Sequence, residues 1–259
     1  MVAIKGLIAA AAASYLSSGY NTGSGYNSGS GYNVSSYDWT MKGQPTTGYA
    51  YCPIDKFVPS FPSGQNALVA PSNPKFLGLA FGIQNYTCSS SNNYTSTGAV
   101  AELIDASCLA FVPEFSTIQE DLYNVWTTLI PQPIQAIIDL LHFLNPPTIL
   151  AQHFFQTNPV TGQGVSPVWD FRSNPRFKGN NDAFVLAKGK GSIPAPTDPK
   201  KDVAWLDVVN VQGKIADEVF RFDTVGGQPP ATCKYGYDKD ISVKYVSKYI
   251  FYGGSINYS

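Results

Sequence analysis

The last third of the chain consists of short apolar runs separated by glycine- and proline-rich breaks. Residues 203–211 are rich in β-branched and aromatic side chains and lack the 3.6-residue spacing of an amphipathic helix, which predicts a strand. A turn at residues 212–214 leads into a second predicted strand at 215–222. After a break at residues 226–230, residues 243–252 predict a third strand, so the pattern is typical of a β-meander. One face of this third strand carries alternate residues Val243, Tyr245, Ser247, Tyr249 and Phe251.

The middle of the chain shows the same β pattern. Each further segment is a short run of β-branched, aromatic or alternating apolar residues between polar or proline-containing stretches. These predicted strands span residues 77–88, 97–107, 149–156, 166–171 and 183–189. The polar run between the first two predicts a hairpin loop. The sequence therefore predicts a mainly β fold, an antiparallel β-sandwich or barrel-like domain over residues 75–254.

Helical spacing replaces the β pattern within residues 112–147. Ser116 and Gln119 match a capping box, and apolar residues follow at helical spacing. These apolar residues are Ile118, Leu122, Val125 and Leu129. Prolines end this helix, and a second helix is predicted over residues 134–144. We expect a two-helix insertion at about 116–144 that packs as a cap on the β domain; a lid over a ligand cavity is the alternative.

Residues 1–74 divide into three segments by composition. Residues 1–18 combine Lys5 with a brief apolar run and an A-x-A site, as in a secretory signal peptide; an ordinary buried helix is the alternative. Residues 19–36 are GYN hexapeptides too short and polar to bury a face, which predicts a spacer. The alternative for them is a tyrosine ladder that binds glycans or is cross-linked in a wall. The proline-rich residues 37–74 predict an extended arm across the domain.

The charge balance excludes several classes of partner. The 259 residues carry 17 Lys and Arg against 18 Asp and Glu, and only 14% of the residues are charged. There is no basic stretch for nucleic acid. No apolar stretch after the leader approaches the roughly 18 residues of a membrane-spanning helix, so we expect no membrane span.

The four cysteines form an even count behind a leader, which predicts two disulfides. Their spacing matches no zinc pattern, so we expect no metal site. With the hairpin turn near Asn92, Cys108 lies about ten residues beyond the position opposite Cys88, or roughly 30 Å, whereas a disulfide requires Cα atoms within about 7 Å. That distance disfavours a Cys88–Cys108 bridge. We favour Cys88–Cys233 together with Cys52–Cys108.

N-glycosylation sequons agree with an exported protein. They begin at Asn33, Asn85, Asn93 and Asn257. Such tripeptides also arise by chance in sequence rich in Asn, Ser and Thr, so they support the leader without proving it. Together with the leader and the cysteines they predict a secreted, extracellular glycoprotein, with association to a cell wall as a further option.

Catalytic signatures are weak. The chain contains no G-x-S-x-G, H-E-x-x-H or Walker sequence. His153 lies in a predicted strand beside two phenylalanines and is most simply a hydrogen-bonded core residue, although with Asp170 it could form a His–carboxylate pair next to Trp169. Residues 223–227 (DTVGG) resemble one aspartic-protease loop with an inserted valine. Those enzymes need two such loops, so a turn is the simpler interpretation.

Seven segments carry a resemblance to a known family. They are GIQNYTC (82–88), AVAELIDASC (99–108), HFF…SPVWDF (153–171), KGKGSIPAP (188–196), AWLDVV (204–209), FRFDTVGGQPPATC (220–233) and VKYVSKYIFYGG (243–254). Together they resemble a secreted fungal domain-of-unknown-function family whose members are often auto-labelled "malate dehydrogenase". The resemblance implies a β-sandwich or barrel-like fold and supplies no catalytic residues.

The dehydrogenase label conflicts with the sequence. A dinucleotide-binding fold alternates strands with helices and opens a helix after a glycine fingerprint. Here Gly189-Lys190-Gly191 runs into residues 193–196 (IPAP), whose prolines cannot open such a helix. We therefore expect no cofactor and no dinucleotide-dependent dehydrogenase activity.

The leading functional hypothesis is a secreted, disulfide-stabilised β protein that acts by binding rather than as an enzyme. Low charge and 14% aromatic residues favour neutral partners, since Trp and Tyr stack on sugars and anchor interfaces. The expected partners are a cell-wall polysaccharide or a host surface protein, and the candidate binding residues are Trp169, Trp205 and Tyr249. One alternative is a secreted hydrolase or lyase with its site near His153 and Asp170. Another is a structural wall protein tethered by its tyrosine repeats.

Overall fold

The computed structural model describes residues 52–128 and 148–256, and these residues form a closed antiparallel β-barrel. Every strand pairs with its neighbours in sequence, and the first strand pairs with the last. The strands are β1 (Pro74–Cys88), β2 (Tyr94–Asp105), β3 (Ile149–Thr157), β4 (Val165–Asp170), β5 (Phe184–Ile193), β6 (Trp205–Gly213), β7 (Glu218–Gly226) and β8 (Ile241–Tyr252). The predicted antiparallel β fold is confirmed, and it takes the barrel form rather than the sandwich form.

Several predicted features lie outside the described residues. They are the leader, the GYN repeats, the second helix at 134–144, and the sequons at Asn33 and Asn257. The division of the chain at residues 18, 36 and 74 stays a prediction.

The strand register places alternate residues on the inner and outer faces of the barrel wall. The inner residues of β8 are Val243, Tyr245, Ser247, Tyr249 and Phe251, the face expected from the sequence. Opposite two of these tyrosines, β1 carries Gly78 and Gly82. A Cβ atom at Gly82 would lie 2.1 Å from the carbonyl oxygen of Val100 and 2.5 Å from the Cβ of Ala101. The small residues of β1 therefore leave the interior to aromatic side chains from the opposite strands.

Phenylalanines fill the lower end of the barrel, the end where β1 begins and β8 finishes. Their ring centroids lie 5.1–6.4 Å apart and all of them are buried. The members of this lower cluster are Phe76, Phe171, Phe177 and Phe251. The upper end carries the β1–β2 turn and the β3–β4, β5–β6 and β7–β8 connections. Any cavity of the barrel must lie above the lower cluster.

A helix packs on the outer face of β1. This helix, α1 (Ile118–Thr128), buries Ile118, Leu122 and Trp126, and the Trp126 indole Nε1 donates to the Gly82 carbonyl oxygen at 3.0 Å. The first predicted helix is confirmed, but Trp126 rather than Val125 occupies the buried face. In the two described ranges, no helix is both long enough and apolar enough to cross a membrane.

The predicted capping box at the start of α1 does not form. Ser116 ends a short 3-10 turn (Pro113–Ser116), and its hydroxyl donates to the Pro113 carbonyl oxygen. Gln119 reaches back, but its side-chain amide donates to the Ser116 carbonyl oxygen and does not accept from the backbone amide. The preceding turn therefore uses the hydroxyl that the capping box would need.

The described part of the proline-rich arm lies on the outer face of β7. Residues 52–73 form no strand. Phe61 of the arm packs on Phe220 and Phe222, with ring centroids 5.4 and 6.1 Å apart. The arm therefore buries apolar side chains that would otherwise face solvent from the outside of the barrel.

Two disulfides join Cys52 to Cys108 and Cys88 to Cys233. The β1–β2 turn places Cys88 opposite Tyr94 at the upper end, whereas Cys108 follows the lower end of β2. The hairpin thus separates Cys88 from Cys108, as expected, and the preferred pairing is the one observed. One bridge ties the arm to the start of the β2–β3 connection, and the other ties the β7–β8 connection to the end of β1.

Residues 223–225 form a bulge inside β7, so the expected turn was wrong. Asp223 has a φ of 47°, and the register shifts between Phe222 and Val225. The Asp223 carboxylate lies 2.8 Å from the Lys248 Nζ, which also donates to the Phe115 carbonyl oxygen at 2.6 Å. Burial lowers the pKa of Lys248, and Asp223 partly offsets that effect. The bulge thus ties the turn before α1 to the barrel wall.

Candidate ligand-binding site

A cavity lies inside the barrel above the lower cluster. Side chains of β3, β4, β6, β7 and β8 line it: His153, Phe155, Pro167, Trp169, Leu206, Val208, Val219, Arg221 and Tyr249. Phe155, Pro167 and Leu206 are half-buried, which places the mouth of the cavity at the upper end. The free space out to the mouth is about 290 Å³, of which the centre of a water-sized sphere reaches about 30 Å³.

His153 forms one wall of the cavity as a neutral imidazole. Its Nδ1 lies 2.9 Å from the Val168 carbonyl oxygen, so Nδ1 carries the proton and donates, which leaves Nε2 as an acceptor. The ring stacks on Trp169 with centroids 4.5 Å apart and planes 15° apart. Burial lowers the pKa of His153 to about 3, with a smaller contribution from the positive charge of Arg221. An imidazole with so low a pKa is a poor base at neutral pH.

Trp169 and Tyr249 meet on the inner wall next to His153. Their ring centroids lie 5.3 Å apart, and Tyr249 lies 5.5 Å from the His153 ring. The Tyr249 hydroxyl lies 3.4 Å from that of Tyr245, the inner residue four positions nearer the start of β8. The buried indole N–H of Trp169 has no acceptor among the described residues. The cavity therefore offers flat apolar surfaces and one unused hydrogen-bond donor.

Arg221 brings a positive charge into the cavity. Its register partner on β6 is Leu206, an inner residue, and Arg221 as a whole residue is 8% exposed. The Nε and Nη2 atoms donate to the Ala204 carbonyl oxygen at 3.1 and 2.8 Å. Arg221 forms no ion pair within the described part of the chain. Buried charges are normally paired, so an arginine held only by a carbonyl oxygen is an unusual feature of an apolar interior.

The structure does not bring His153 and Asp170 together. His153 pairs across the ladder with Trp169, so its side chain points inward, and the next residue along β4, Asp170, points outward. The Asp170 carboxylate instead accepts from the Arg172 backbone amide and guanidinium, at distances from 2.6 to 2.9 Å. The His–carboxylate pair that the sequence offered as an alternative does not form, because its members lie on opposite faces of the wall.

Of the predicted binding residues, Trp169 and Tyr249 share the cavity and Trp205 does not. Trp205 lies on the outer face under the arm, with its ring centroid 6.3 Å from that of Phe61. All three side chains are buried, so none presents a ring to a large partner outside the barrel. Arg221 was missed, because a lone arginine between two phenylalanines gives no sequence signal for a site.

Two buried carboxylates lie on the outer face and do not belong to this site. Burial raises the pKa of Glu102 to about 8, and burial together with Glu218 raises the pKa of Asp207 to about 6. Lys190 lies 3.1 Å from Asp207 and also forms an ion pair with Glu218. Within residues 52–128 and 148–256, no three His, Cys, Asp or Glu side chains come close enough together to hold a metal ion.

Comparison with family models identifies the domain. The model described as "Protein of unknown function (DUF3455)" matches residues 70–253, which span all of the barrel from β1 to β8. The chain belongs to this family. The DUF3455 domain thus contains every residue that lines the cavity, together with Cys88, Cys108 and Cys233. Comparison with curated proteins and with solved structures found no match.

The DUF3455 match confirms the unknown-function family expected from residues 75–254. It begins four residues before β1, so Cys52 and most of the arm lie outside the matched range. The barrel and its cavity therefore belong to the family domain, whereas the bridge to Cys52 joins that domain to the arm.

Proposed function

We propose that this DUF3455 protein is an exported binding protein whose barrel takes a small, largely apolar ligand at its upper end. The cavity between His153, Trp169, Tyr249 and Arg221 carries this proposal. The lower half of the barrel is filled with aromatic side chains, whereas the upper half keeps a lined space that opens to solvent. Eight-stranded barrels are wide enough to hold one small ligand when their side chains leave such a space.

The site chemistry favours binding over catalysis. His153 faces no carboxylate of residues 52–128 or 148–256, and its low pKa makes it a weak proton acceptor at neutral pH. Aromatic and aliphatic side chains make up most of the lining, with a few polar atoms that can orient a ligand. That composition is typical of a ligand pocket.

The size of the cavity limits the ligand. The free space of about 290 Å³ includes solvent at the open mouth, so the room enclosed by the barrel wall is much smaller. The part that a water-sized sphere can reach holds about two water molecules. The ligand that fits best is therefore a small planar molecule that packs against the rings of the lining and displaces that water.

Export is supported by the disulfides and by one exposed sequon. Two disulfides without a free cysteine among the described residues are typical of oxidising compartments. Asn93 is exposed in the β1–β2 turn, whereas Asn85 is half-buried within β1. We therefore expect Asn93 to be the better glycan acceptor of the two.

Filling the cavity will abolish ligand binding. In Val208→Phe the larger ring points inward and occupies the space beside Val219, so we expect affinity for indole, a small neutral planar probe, to fall by about tenfold or more. NMR titration of the full chain with indole measures this. Val209→Phe is the matched control, because Val209 is the next residue on β6 and points outward. Unchanged indole binding in Val208→Phe contradicts the proposal, and so does the failure of the wild-type protein to bind any small planar probe.

A second candidate function is binding of a cell-wall polysaccharide or host surface at the outside of the upper end. Tyr235 and Tyr237 are 57% and 76% exposed, unlike the buried aromatic residues of the barrel. The Tyr235 backbone amide donates to the Asn92 side chain at 3.0 Å, beside the Cys88–Cys233 bridge. The Lys234 Nζ lies 3.9 Å from the Tyr237 ring centroid. A short, tethered pair of exposed tyrosines is suited to stacking on sugar rings.

Replacing Tyr235 and Tyr237 together by alanine tests that second function. We expect the double variant to lose retention on insoluble chitin or glucan, since stacking area is removed, while indole binding in the barrel stays unchanged. A pull-down with densitometry of bound and free protein measures retention. Val208→Phe is the matched control, with the opposite pattern expected. Equal retention of the double variant, or no retention of the wild-type protein, rejects a polysaccharide-binding role for this tyrosine pair.

A further inference from the structure

We infer that the ligand of the barrel is a small aromatic carboxylate, with its ring against Trp169 and Tyr249 and its carboxylate on Arg221. This inference rests on the binding function proposed above and names the class of ligand. Three observations carry it: the unneutralised charge of Arg221, the unused donor of Trp169, and the flat apolar lining between them.

The guanidinium of Arg221 has more N–H donors than its hydrogen bonds to Ala204 use. An arginine side chain carries five N–H donors, and Arg221 uses one on Nε and one on Nη2 for the Ala204 carbonyl oxygen. No carboxylate of the described residues forms an ion pair with it. The inner positions around Arg221 are neutral: Leu206 beside it on β6, Tyr249 beside it on β8, and His153 across the cavity. A bound carboxylate would supply the missing partner in the fork geometry that arginine favours.

The positive charge of Arg221 contributes to the pKa shifts of other buried side chains. Burial raises the pKa values of the Tyr86 and Tyr245 hydroxyls, and Arg221 partly offsets both effects. Burial lowers the pKa of His153, and Arg221 lowers it further. All three effects have the sign of a positive potential on the inner wall, so a negatively charged ligand is favoured over a neutral or cationic one.

The remaining lining fits an aromatic body rather than a long chain. His153 and Trp169 stack nearly parallel, and Tyr249 meets Trp169 at 65°, so these rings present flat faces and edges to the space between them. The lower cluster ends the cavity below, which leaves no channel for an extended alkyl chain. A single cation also suits a carboxylate better than a phosphate, which usually draws several donors from a helix terminus or a glycine-rich loop.

A comparison of benzoate with benzamide separates the effect of the ligand's charge on affinity from the effect of its shape. The two molecules are nearly isosteric, and only benzoate is anionic at pH 7. We expect the full-length protein to bind benzoate about tenfold or more tightly than benzamide, because a hydrogen-bonded charge pair is stronger than a neutral one. NMR titration with each probe measures both dissociation constants. Arg221→Gln should lose the preference for benzoate, so that its dissociation constants for the two probes become similar.

Arg172→Gln is the matched control, since Arg172 is 46% exposed and pairs with Asp170 on the outer face. It should keep the preference for benzoate. Equal binding of benzoate and benzamide by the wild-type protein overturns the inference but leaves the proposed binding function intact. Failure of indole, benzoate and benzamide alike overturns the binding function itself. If Arg221→Gln does not fold, the wild-type comparison of the two probes still decides the question.

Discussion

Replacing both Cys88 and Cys233 by serine will lower the free energy of unfolding by about 2–5 kcal/mol. This bridge joins residues 145 positions apart, so it removes a large amount of conformational freedom from the unfolded chain. It also pins the end of β1 to the β7–β8 connection, where the Cys233 backbone amide donates to the Asn92 carbonyl oxygen at 3.0 Å. Urea unfolding under non-reducing conditions, followed by tryptophan fluorescence, measures the loss.

The second bridge provides the control for that experiment. Cys52 and Cys108 are 56 positions apart, so the same chain-entropy relation predicts a loss smaller by about 1 kcal/mol when both are changed to serine. The order of the two effects is the critical result. If removing Cys52–Cys108 costs as much as removing Cys88–Cys233, then native contacts of the arm, rather than chain entropy, govern the stabilisation.

Trp126→Ala will destabilise the protein by about 3–5 kcal/mol, the usual cost of truncating a buried tryptophan. Trp126 is fully buried between α1 and the outer wall, and its ring centroid lies 5.6 Å from that of Phe81. The substitution leaves a large cavity and removes the donor to the Gly82 carbonyl oxygen. Lys244, whose Nζ lies 4.3 Å from the indole centroid, also loses its aromatic contact. Chemical unfolding monitored by circular dichroism measures the change.

Two further variants separate packing from hydrogen bonding at this position. Trp126→Phe keeps an aromatic ring but removes the indole N–H, so we expect it to retain most of the packing and to lose about 1 kcal/mol for the hydrogen bond. Val125→Ala, at the neighbouring half-buried position, should have a smaller effect than Trp126→Ala. Equal effects at positions 125 and 126 would show that α1 is not anchored through its tryptophan.

The strands were predictable because each has a local signal, whereas barrel closure was not. Alternation along 243–252 grouped on one face the residues that the structure places on the inner face of β8. The pairing that closes the barrel joins Leu77 to Ile250 and Gly82 to Tyr245, contacts between residues more than 160 positions apart. No local pattern encodes which distant strand completes a sheet. The sequence therefore did not decide between a β-sandwich and a closed β-barrel.

In the cavity wall, the alternation of apolar residues along β7 predicts the wrong inner face. In β7 the apolar pattern favours Phe220 and Phe222 as the inner face, yet Val219 and Arg221 point inward. The reason is the arm, because Phe61 covers both phenylalanines from outside. A strand covered on its outer face can carry its larger apolar side chains there. Trp169 and Tyr249 were identified as binding candidates, but Arg221 becomes visible only when the register is known.

The pairing of β1 with β8 has a consequence for synthesis of the protein. Until residues 241–252 emerge from the ribosome, β1 and β7 both present long backbone edges whose amide and carbonyl groups have no ladder partner. A chain truncated before Ile241 therefore retains two unpaired strand edges and is prone to aggregate by pairing these edges with other chains. A stop codon that removes residues 241–252 would thus produce an aggregating species rather than a slightly shortened domain.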